Sequence, residues 1–238
     1  MSDSKTSTML IAHRGFSALE TENTAAAFVA AGNRDYFGIE TDVHVTRDGK
    51  FAIIHDDDTK RVAGVDFSVE NSTFAELSKL KLKDKYGETR RDLVIPELSD
   101  YIKICKFYKK TAVLELKNPM TADSIRGITD CIKKYDYIEN TVFISFAFDN
   151  LVEVRKLYPD AAVQFLCGKI SDELVNKLAE HKFDVDAYYE YIDKEICEKL
   201  HKHGIKINCY TVDSEKDAKR CLECGVDYIT SNCLSELD

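Results

Sequence analysis

The chain has 238 residues, of which 44% are hydrophobic and 32% charged, and its formal net charge is −9. This length fits one domain with a substantial buried core, and the composition is that of a soluble globular protein. The excess of acidic residues disfavours DNA or RNA as a partner, because binding a polyanion needs clustered Lys and Arg side chains.

The start of the chain and its cysteines indicate a cytoplasmic protein. Residues Met1 to Thr8 are polar, and the apolar run Met9–Ala12 is too short for a signal peptide core or a membrane span. Eight cysteines are scattered from Cys105 to Cys233, which favours reduced thiols over a disulfide framework. Cys221 and Cys224 form a CxxC pair on a predicted helix, and we interpret them as packing thiols. We expect no stable membrane insertion.

Short β-branched and apolar runs alternate along the chain with segments of helical periodicity. This alternation is typical of parallel strands joined by crossover helices. The predicted strands are Met9–Ala12, Gly38–Val45, Thr111–Lys117, Val142–Phe146, Ala162–Cys167, Asp184–Tyr189, Lys206–Val212 and Val226–Thr230. The predicted helices are Asn23–Arg34, Leu98–Lys110, Thr121–Tyr137, Asp149–Leu157, Ser171–Lys182, Asp193–His203 and Ser214–Cys224. Eight such strands predict an α/β fold, a closed (β/α)8 TIM barrel, as a single domain over residues 1–238.

Residues that favour helix ends support these bounds. Asn23, Ser171, Asp193 and Ser214 can each accept a hydrogen bond from the first turn of a helix. Glycines that favour helix stops follow two of the predicted helices, at Gly204 and Gly225.

One segment breaks the rhythm of strands and helices. Residues 56–96 follow the second strand and are rich in Lys, Arg, Asp and Glu. Loops this long inside a compact domain are usually functional or form a small insert. We therefore predict an insertion over about 56–96.

Reactive side chains fall at the carboxyl ends of the predicted strands. In β/α barrels this end carries the active site, because the βα loops converge there. The candidates in chain order are His13 and Arg14 after the first strand, Glu40 and Asp42 late in the second, His55 after the extension Phe51–Ile54, and Glu115 and Lys117 at the end of the third.

The acidic residues among them predict a metal site. Residues two apart in a strand point to the same face, so Glu40 and Asp42 project together, as do Glu115 and Lys117. Carboxylates aimed inward from adjacent strands cannot all stay ionised without a cation. Oxygen ligands favour Mg²⁺ or Ca²⁺ over zinc. The same alternation would also suit an edge strand with a solvated polar face.

A family resemblance joins these residues. The stretch AHRGFSALETENTAAAF, followed by GIETDVHVTRDGKFAIIHDDDTKRV, closely resembles the glycerophosphodiester phosphodiesterase family. The shared features within residues 12–62 are His-Arg-Gly, Glu-Asn-Thr, Glu-x-Asp, a Thr-x-Asp-Gly turn and a His-Asp close. Later landmarks follow in order, at Ile95-Pro96-Glu97-Leu98, Leu114-Glu115-Leu116-Lys117, Ser145-Phe146 and Tyr210-Thr211-Val212.

The resemblance implies a barrel that cleaves glycerophosphodiesters to glycerol phosphate and an alcohol. The positions that match the family's metal ligands are Glu40, Asp42 and Glu115. His13 and His55 match its acid–base pair, and Arg14 and Lys117 match positions near the substrate phosphate. The resemblance also suggests that the glycerol hydroxyl next to the phosphate attacks first, giving a cyclic phosphate that water opens. Which histidine starts as the base is left open.

The sequence departs from the family pattern in three places. Thr21 stands where proline is usual, and Tyr210 stands where tryptophan is common. The ending Thr230-Ser231-Asn232-Cys233 replaces the usual Thr-Asp-x-Pro. These changes leave the alcohol pocket undefined. Tyr210 is our candidate for an aromatic wall of that pocket, and core packing is the simpler alternative interpretation.

Other residues near the motifs are predicted to be structural. Glu22 could orient Arg14, and Asn23 or Thr24 could cap the first helix. His44 shares a strand face with the carboxylates but lies further along the strand. The remaining histidines fall in predicted helices and are His181, His201 and His203.

Two alternatives to a soluble phosphodiesterase remain open. A catalytically silent barrel that binds phosphodiesters or a protein partner would suit the altered ending of the chain. A relative directed at lysophospholipids or sphingomyelin would keep the paired histidines but should show an apolar rim or an export signal. We expect a small water-soluble phosphodiester as the substrate and make no prediction of the oligomeric state.

Overall fold

Eight parallel strands close into a barrel in the computed structural model, which describes residues 8–237. The strands are β1 (Met9–Ala12), β2 (Gly38–Val45), β3 (Phe51–Ile53), β4 (Thr111–Leu116), β5 (Thr141–Ser145), β6 (Ala162–Cys167), β7 (Asp184–Tyr188), β8 (Ile207–Tyr210) and β9 (Tyr228–Ser231). β3 pairs antiparallel with β2 and stands outside the ring. The other strands follow the order β1-β2-β4-β5-β6-β7-β8-β9, and β9 pairs with β1 to close the barrel.

Helices connect consecutive strands around this ring. They are α1 (Ala25–Gly32), α2 (Lys60–Ala63), α3 (Phe74–Leu77), α4 (Leu98–Tyr108), α5 (Ala122–Lys133), α6 (Phe148–Leu157), α7 (Asp172–His181), α8 (Lys194–Lys202) and α9 (Glu215–Cys224). The predicted (β/α)8 barrel is confirmed, and the bounds of its eight predicted strands differ from the observed ones by no more than two residues. Most of the first eight residues of the chain lie outside the described range, so the single-domain assignment of 1–238 stays a prediction.

The alternation of side chains along β2 separates two environments. Ile39 and Val43 are buried in the main hydrophobic core, which lies between the strands and the helices. Glu40 and Asp42 point to the other side, into the barrel. The register of β2 with β4 sets Asp42 directly opposite Glu115. Toward the amino ends of the strands, the barrel interior is filled by an apolar cluster of Ile11, Val113, Ile144, Leu166 and Tyr228.

Side-chain caps begin most of the longer helices. Ser171, Asp193 and Ser214 accept hydrogen bonds from the first turns of α7, α8 and α9, as predicted. At α1 the cap is Thr24, whose hydroxyl accepts from the Ala27 amide. Asn23 does not cap this helix, because its amide group is bonded to residues of β2.

Residues 56–96, the predicted insertion and hereafter the insert segment, carry α2 and α3. They surround a small hydrophobic cluster separate from the main core, which comprises Ala52, Ile54, Val62, Val69, Leu77, Leu82, Leu93 and Ile95. Polar contacts join the segment to the loop after β1. The Thr21 hydroxyl donates to the Lys83 carbonyl at 2.9 Å, and Arg90 donates to Glu20 at 2.9 Å.

The helices and the cysteines bear on the sequence-based expectations for membrane insertion and disulfides. None of the helices between residues 8 and 237 combines the length and the apolar character that a bilayer crossing requires. The eight cysteines are free thiols. Cys221 is buried in the main core and Cys224 packs against it, which agrees with their interpretation as packing residues.

Candidate active site

Three carboxylates converge inside the carboxyl end of the barrel. Glu40 and Asp42 come from β2 and Glu115 from β4, and each offers an oxygen within 4.8 Å of the others. Their exposed fractions are only 2%, 1% and 8%. The barrel therefore brings together the acidic residues that the strand pattern predicts, and it removes them almost completely from water.

Burial of several negative charges perturbs all three groups. Burial, followed by the charge of Asp42, raises the pKa of Glu40 well above its usual range and that of Glu115 to about 7. Burial would raise the pKa of Asp42 as well, but Lys117 and then Arg14 hold it at about 2. Without further positive charge, the cluster thus holds protons that isolated carboxylates would lose at neutral pH.

Two basic side chains flank the carboxylates. Lys117 Nζ lies 2.8 Å from Glu115 Oε1 and 3.5 Å from Asp42 Oδ1. Arg14 Nε lies 3.6 Å from Asp42 Oδ2, and its Nη1 donates to Glu22 Oε1 at 2.8 Å. Glu22 therefore contacts Arg14 as the sequence suggests. Both cations thus contact Asp42 and place positive charge beside the acidic cluster.

The donor set of this cluster fits a divalent metal ion. Among the residues that the structure describes, buried Asp42 Oδ1 has no hydrogen-bond partner, and its second oxygen accepts from Asn23 Nδ2 at 2.8 Å. Glu40 Oε2 accepts from the Arg14 backbone amide at 2.8 Å, which orients that carboxylate. Oxygen ligands of this kind suit Mg²⁺ or Ca²⁺. Glu40, Asp42 and Glu115 can hold such an ion.

His13 follows β1 at the rim of the cluster. Its Nε2 lies 3.9 Å from Glu40 Oε2, and its side chain is 16% exposed. The other ring nitrogen, Nδ1, lies 2.8 Å from Asn232 Oδ1. Burial, and then the charge of Arg14, lowers the pKa of His13 to about 4. Burial therefore favours the neutral imidazole.

His55 follows β3 and has a different partner. Its Nδ1 lies 2.7 Å from Asp56 Oδ1, and its side chain is 33% exposed. Asp56 in turn accepts from Arg61 Nε at 2.7 Å. This bond, ahead of the contact with His55, lowers the pKa of Asp56 to about 2. The backbone amide of the preceding residue, Ile54, donates to the Asp42 carbonyl at 3.2 Å, so His55 follows directly on a contact with the strand that carries two of the carboxylates.

His44 is fully buried beneath this second histidine. Its Nε2 lies 3.3 Å from the backbone oxygen of His55, and its Nδ1 lies 3.3 Å from Glu70 Oε1. Asn118, just after β4, donates to the same Glu70 oxygen at 2.8 Å. These contacts direct His44 toward the backbone that carries His55, away from the carboxylates.

Tyr210, at the end of β8, belongs to a group of aromatic rings at the mouth of the barrel. Its ring centroid lies 6.3 Å from that of Phe146 and 6.2 Å from that of Tyr188. Its hydroxyl donates to the Cys167 carbonyl at 3.1 Å. Phe146 is 55% exposed, so the group has an open apolar side.

Sequence reasoning missed Asp56, Arg61 and Asn232, which contact the candidate histidines or their partners. Asp56 and Arg61 lie within the stretch that carries the family resemblance, so a His-Asp pair was visible there. Asn232 lies 219 residues from His13 along the chain. No local pattern signals that contact, since it arises only from the closure of the barrel.

The chain is similar to known proteins along nearly its whole length. A model of the glycerophosphoryl diester phosphodiesterase family matches residues 13–234. A glycerophosphodiester phosphodiesterase of Caldanaerobacter subterraneus is 31% identical over 231 residues, which cover 94% of both chains. The solved structure of an Oleispira antarctica phosphodiesterase, in complex with the product sn-glycerol-3-phosphate, is 25% identical with a TM-score of 0.86 over 94% of this chain and 92% of that one.

A glycerophosphodiester phosphodiesterase of Parabacteroides distasonis is 28% identical, with a TM-score of 0.81 over 96% of this chain and 94% of that one. The resemblance predicted from the motifs is thus confirmed. The chain belongs to the glycerophosphoryl diester phosphodiesterase family and so to the phosphoric diester hydrolases.

Proposed function

We propose that this protein hydrolyses water-soluble glycerophosphodiesters to glycerol phosphate and an alcohol, with a divalent ion held by Glu40, Asp42 and Glu115. The observation that carries the proposal is the convergence of these buried carboxylates within 4.8 Å, beside two basic side chains. The product named for the Oleispira antarctica relative, sn-glycerol-3-phosphate, supports this substrate class.

Charge neutralisation is the first requirement of the reaction. A phosphodiester repels nucleophiles through its own negative charge, so the site must offset that charge. Arg14 and Lys117 supply fixed positive charge at the cluster, and their partners Glu22 and Glu115 limit their movement. A bound Mg²⁺ or Ca²⁺ would add Lewis acidity at a phosphate oxygen.

Proton transfer is the second requirement, and we assign it to His13 and His55. The glycerol hydroxyl next to the phosphate attacks phosphorus and transfers its proton to one imidazole. The other imidazole protonates the departing alcohol oxygen, which leaves a cyclic phosphate. Water then opens this ring with the two proton transfers reversed. Tyr210, with its neighbouring rings, forms a wall for the alcohol group.

The cellular setting completes the proposal. Eight free thiols suit a reducing compartment, so we keep the cytoplasm as the location. The net charge of −9 makes nucleic acid an unsuitable partner. The products named above would connect the reaction to lipid and glycerol metabolism.

Turnover of glycerophosphocholine by the purified protein tests the proposal. We expect activity with Mg²⁺ or Ca²⁺, loss of activity with excess chelator, and a decrease of at least about a hundredfold in kcat for Glu40→Gln. The exposed Glu195→Gln serves as the matched control. Full activity in chelator would contradict the metal assignment. Inertness of folded, metal-loaded wild type toward several diesters would favour a silent barrel, and preference for lysophosphatidylcholine would favour a lipid-directed enzyme.

A further inference from the structure

The loops after three neighbouring strands bring together a row of hydrogen-bonded polar side chains that ends at His13. β8, β9 and β1 are adjacent in the barrel, and Asp213, Asn232 and His13 follow them at the same end. His13 lies far from Asn232 in the sequence, and the pairing of β9 with β1 brings them together.

Asp213 is the residue of this group farthest from His13 along the hydrogen bonds, and its carboxylate accepts three of them. Its Oδ1 accepts from the Ser231 hydroxyl at 3.0 Å and from the Asn232 backbone amide at 2.8 Å. Its Oδ2 accepts from Asn232 Nδ2 at 2.7 Å. Because a carboxylate only accepts hydrogen bonds, the amide nitrogen of Asn232 must face Asp213.

This orientation determines which atom of Asn232 meets the imidazole. With the nitrogen on Asp213, the amide oxygen faces His13 Nδ1 at 2.8 Å. The reverse orientation would set two acceptors, Asn232 Oδ1 and Asp213 Oδ2, against each other at hydrogen-bond distance. The amide oxygen can only accept, so His13 Nδ1 must carry the hydrogen.

The position of one hydrogen determines the state of the other ring nitrogen. A neutral imidazole carries a single ring proton, so Nε2 of His13 has a free lone pair. This nitrogen faces the acidic cluster, 3.9 Å from Glu40 Oε2. The Ser17 hydroxyl lies 2.8 Å from the same Asn232 oxygen and 3.0 Å from the His13 carbonyl oxygen, and its single hydrogen donates to one of these acceptors at a time.

We propose that Asn232 and Asp213 are positioning residues that hold His13 in the tautomer with its proton on Nδ1, so that Nε2 begins each turnover as a proton acceptor. This rests on the proposed function insofar as it concerns turnover, whereas the tautomer itself is a property of the free protein. The pair acts through the imidazole and does not contact the reacting atoms.

Nitrogen-15 NMR of the histidine ring tests this inference directly. In labelled wild type, with His13 assigned by its absence in His13→Gln, we expect a pyrrole-type Nδ1 and a pyridine-type Nε2. In Asn232→Ala the acceptor is gone, and we expect the proton to move largely to Nε2. Outer partners that fix a histidine tautomer typically contribute about 10–100-fold, so we expect kcat to decrease roughly tenfold with little change in KM.

Two further variants keep the test decisive. Asp213→Asn no longer dictates the orientation of the Asn232 amide, so we expect both tautomers and a smaller decrease in kcat. Lys216→Gln, at an exposed position of α9, should leave the ring signals and kcat unchanged. Backbone amide spectra of all variants report whether they are folded.

The outcomes separate the two proposals. A proton on Nε2 in wild type, or ring signals that do not change in folded Asn232→Ala, would overturn the inference even if the enzyme is active. An inert wild type with the expected Nδ1 proton would overturn the proposed function and the role in turnover, and would leave the tautomer assignment standing.

Discussion

The two candidate histidines have similar positions at the barrel mouth but opposite surroundings. His13 is held by strands of the barrel, is mostly buried, and contacts the uncharged amide of Asn232. His55 lies next to the insert segment, is more exposed, and contacts the carboxylate of Asp56. A carboxylate stabilises the imidazolium that forms when a histidine takes a proton, whereas an amide oxygen fixes the tautomer without adding charge. The neighbours of the two histidines therefore favour different states, a charged imidazolium at His55 and a fixed neutral tautomer at His13.

Removing either imidazole should give the largest effect. General acid–base catalysis contributes about 10²–10⁴-fold, so we expect His13→Ala and His55→Ala each to lower kcat by about a thousandfold. The double variant should lose little more, because residues that act as a unit are not additive. Steady-state kinetics with His203→Ala, an exposed histidine, as the control measures this. Near-normal turnover by His55→Ala would show that His55 does not transfer a proton in the reaction.

Giving His55 an uncharged partner like that of His13 should have the next largest effect on kcat. Asp56→Asn keeps an acceptor for His55 Nδ1 but removes the charge, so His55 would resemble His13. We expect kcat to decrease by about a hundredfold, since a loss of charge and of geometry both act at this position. The exposed Asp66→Asn, in the same segment, is the matched control. Unchanged kcat would show that an amide serves His55 as well as a carboxylate does, so that the charge of Asp56 has no role in turnover.

A smaller effect is expected from Arg61, which joins the two sides. Its guanidinium donates to Glu22, the partner of Arg14, at 2.8 Å and to Asp56 at 2.7 Å. Lysine cannot make both paired contacts at once. We expect Arg61→Lys to lower kcat about tenfold through a loss of positioning. Arg91→Lys, at an exposed site of the insert segment, should have no effect, and equal kinetics for both variants would contradict the bridging role.

The smallest expected effect concerns the carboxylates between the two histidines. A carboxyl whose pKa is raised in the folded state stabilises the protein at low pH, and this stability is lost as pH rises through the folded value, about 7 for Glu115. Between pH 6.5 and 8 the metal-free wild type should therefore lose about 1 kcal/mol relative to Glu115→Gln. Comparing these two proteins cancels the opposite slope from the lowered pKa of His13.

Chemical denaturation in the presence of chelator measures this difference. A wild type that becomes more stable than Glu115→Gln over the same pH range would contradict the assigned direction of the shift. Addition of Mg²⁺ should restore the lost stability, because an ion that binds only the folded state stabilises it.

The sequence predicts those parts of the molecule that depend on short-range patterns. Period-two alternation places Glu40 and Asp42 on one face, and the caps at Ser171, Asp193 and Ser214 follow from helix-end chemistry. Of the two candidate caps of the first helix, Thr24 caps it and Asn23 does not, because the Asn23 side chain is hydrogen-bonded to Asp42 and Thr41. That competition is decided by tertiary packing, which local propensity does not include.

The residues that distinguish the two histidines escaped prediction for the same reason. Asn232 meets His13 only because β9 pairs with β1, and Arg61 meets Glu22 only because the insert segment folds back over the loop after β1. Either contact could have been proposed as one of many candidate pairs. Nothing in the spacing of the residues selects it, so the environment of each imidazole had to come from the fold.

The ion pairs between the insert segment and the barrel make the surroundings of His55 more sensitive to salt than those of His13. Ion pairs of partly exposed groups, Arg61 with Glu22 and Arg90 with Glu20, hold the segment in place. Such pairs weaken as ionic strength rises, because the screening length shortens from about 10 Å at 0.1 M to about 3 Å at 1 M. The hydrogen bonds around His13 are far less sensitive to screening. Concentrated electrolyte should therefore loosen the surroundings of His55 first, while the barrel side of the site remains intact.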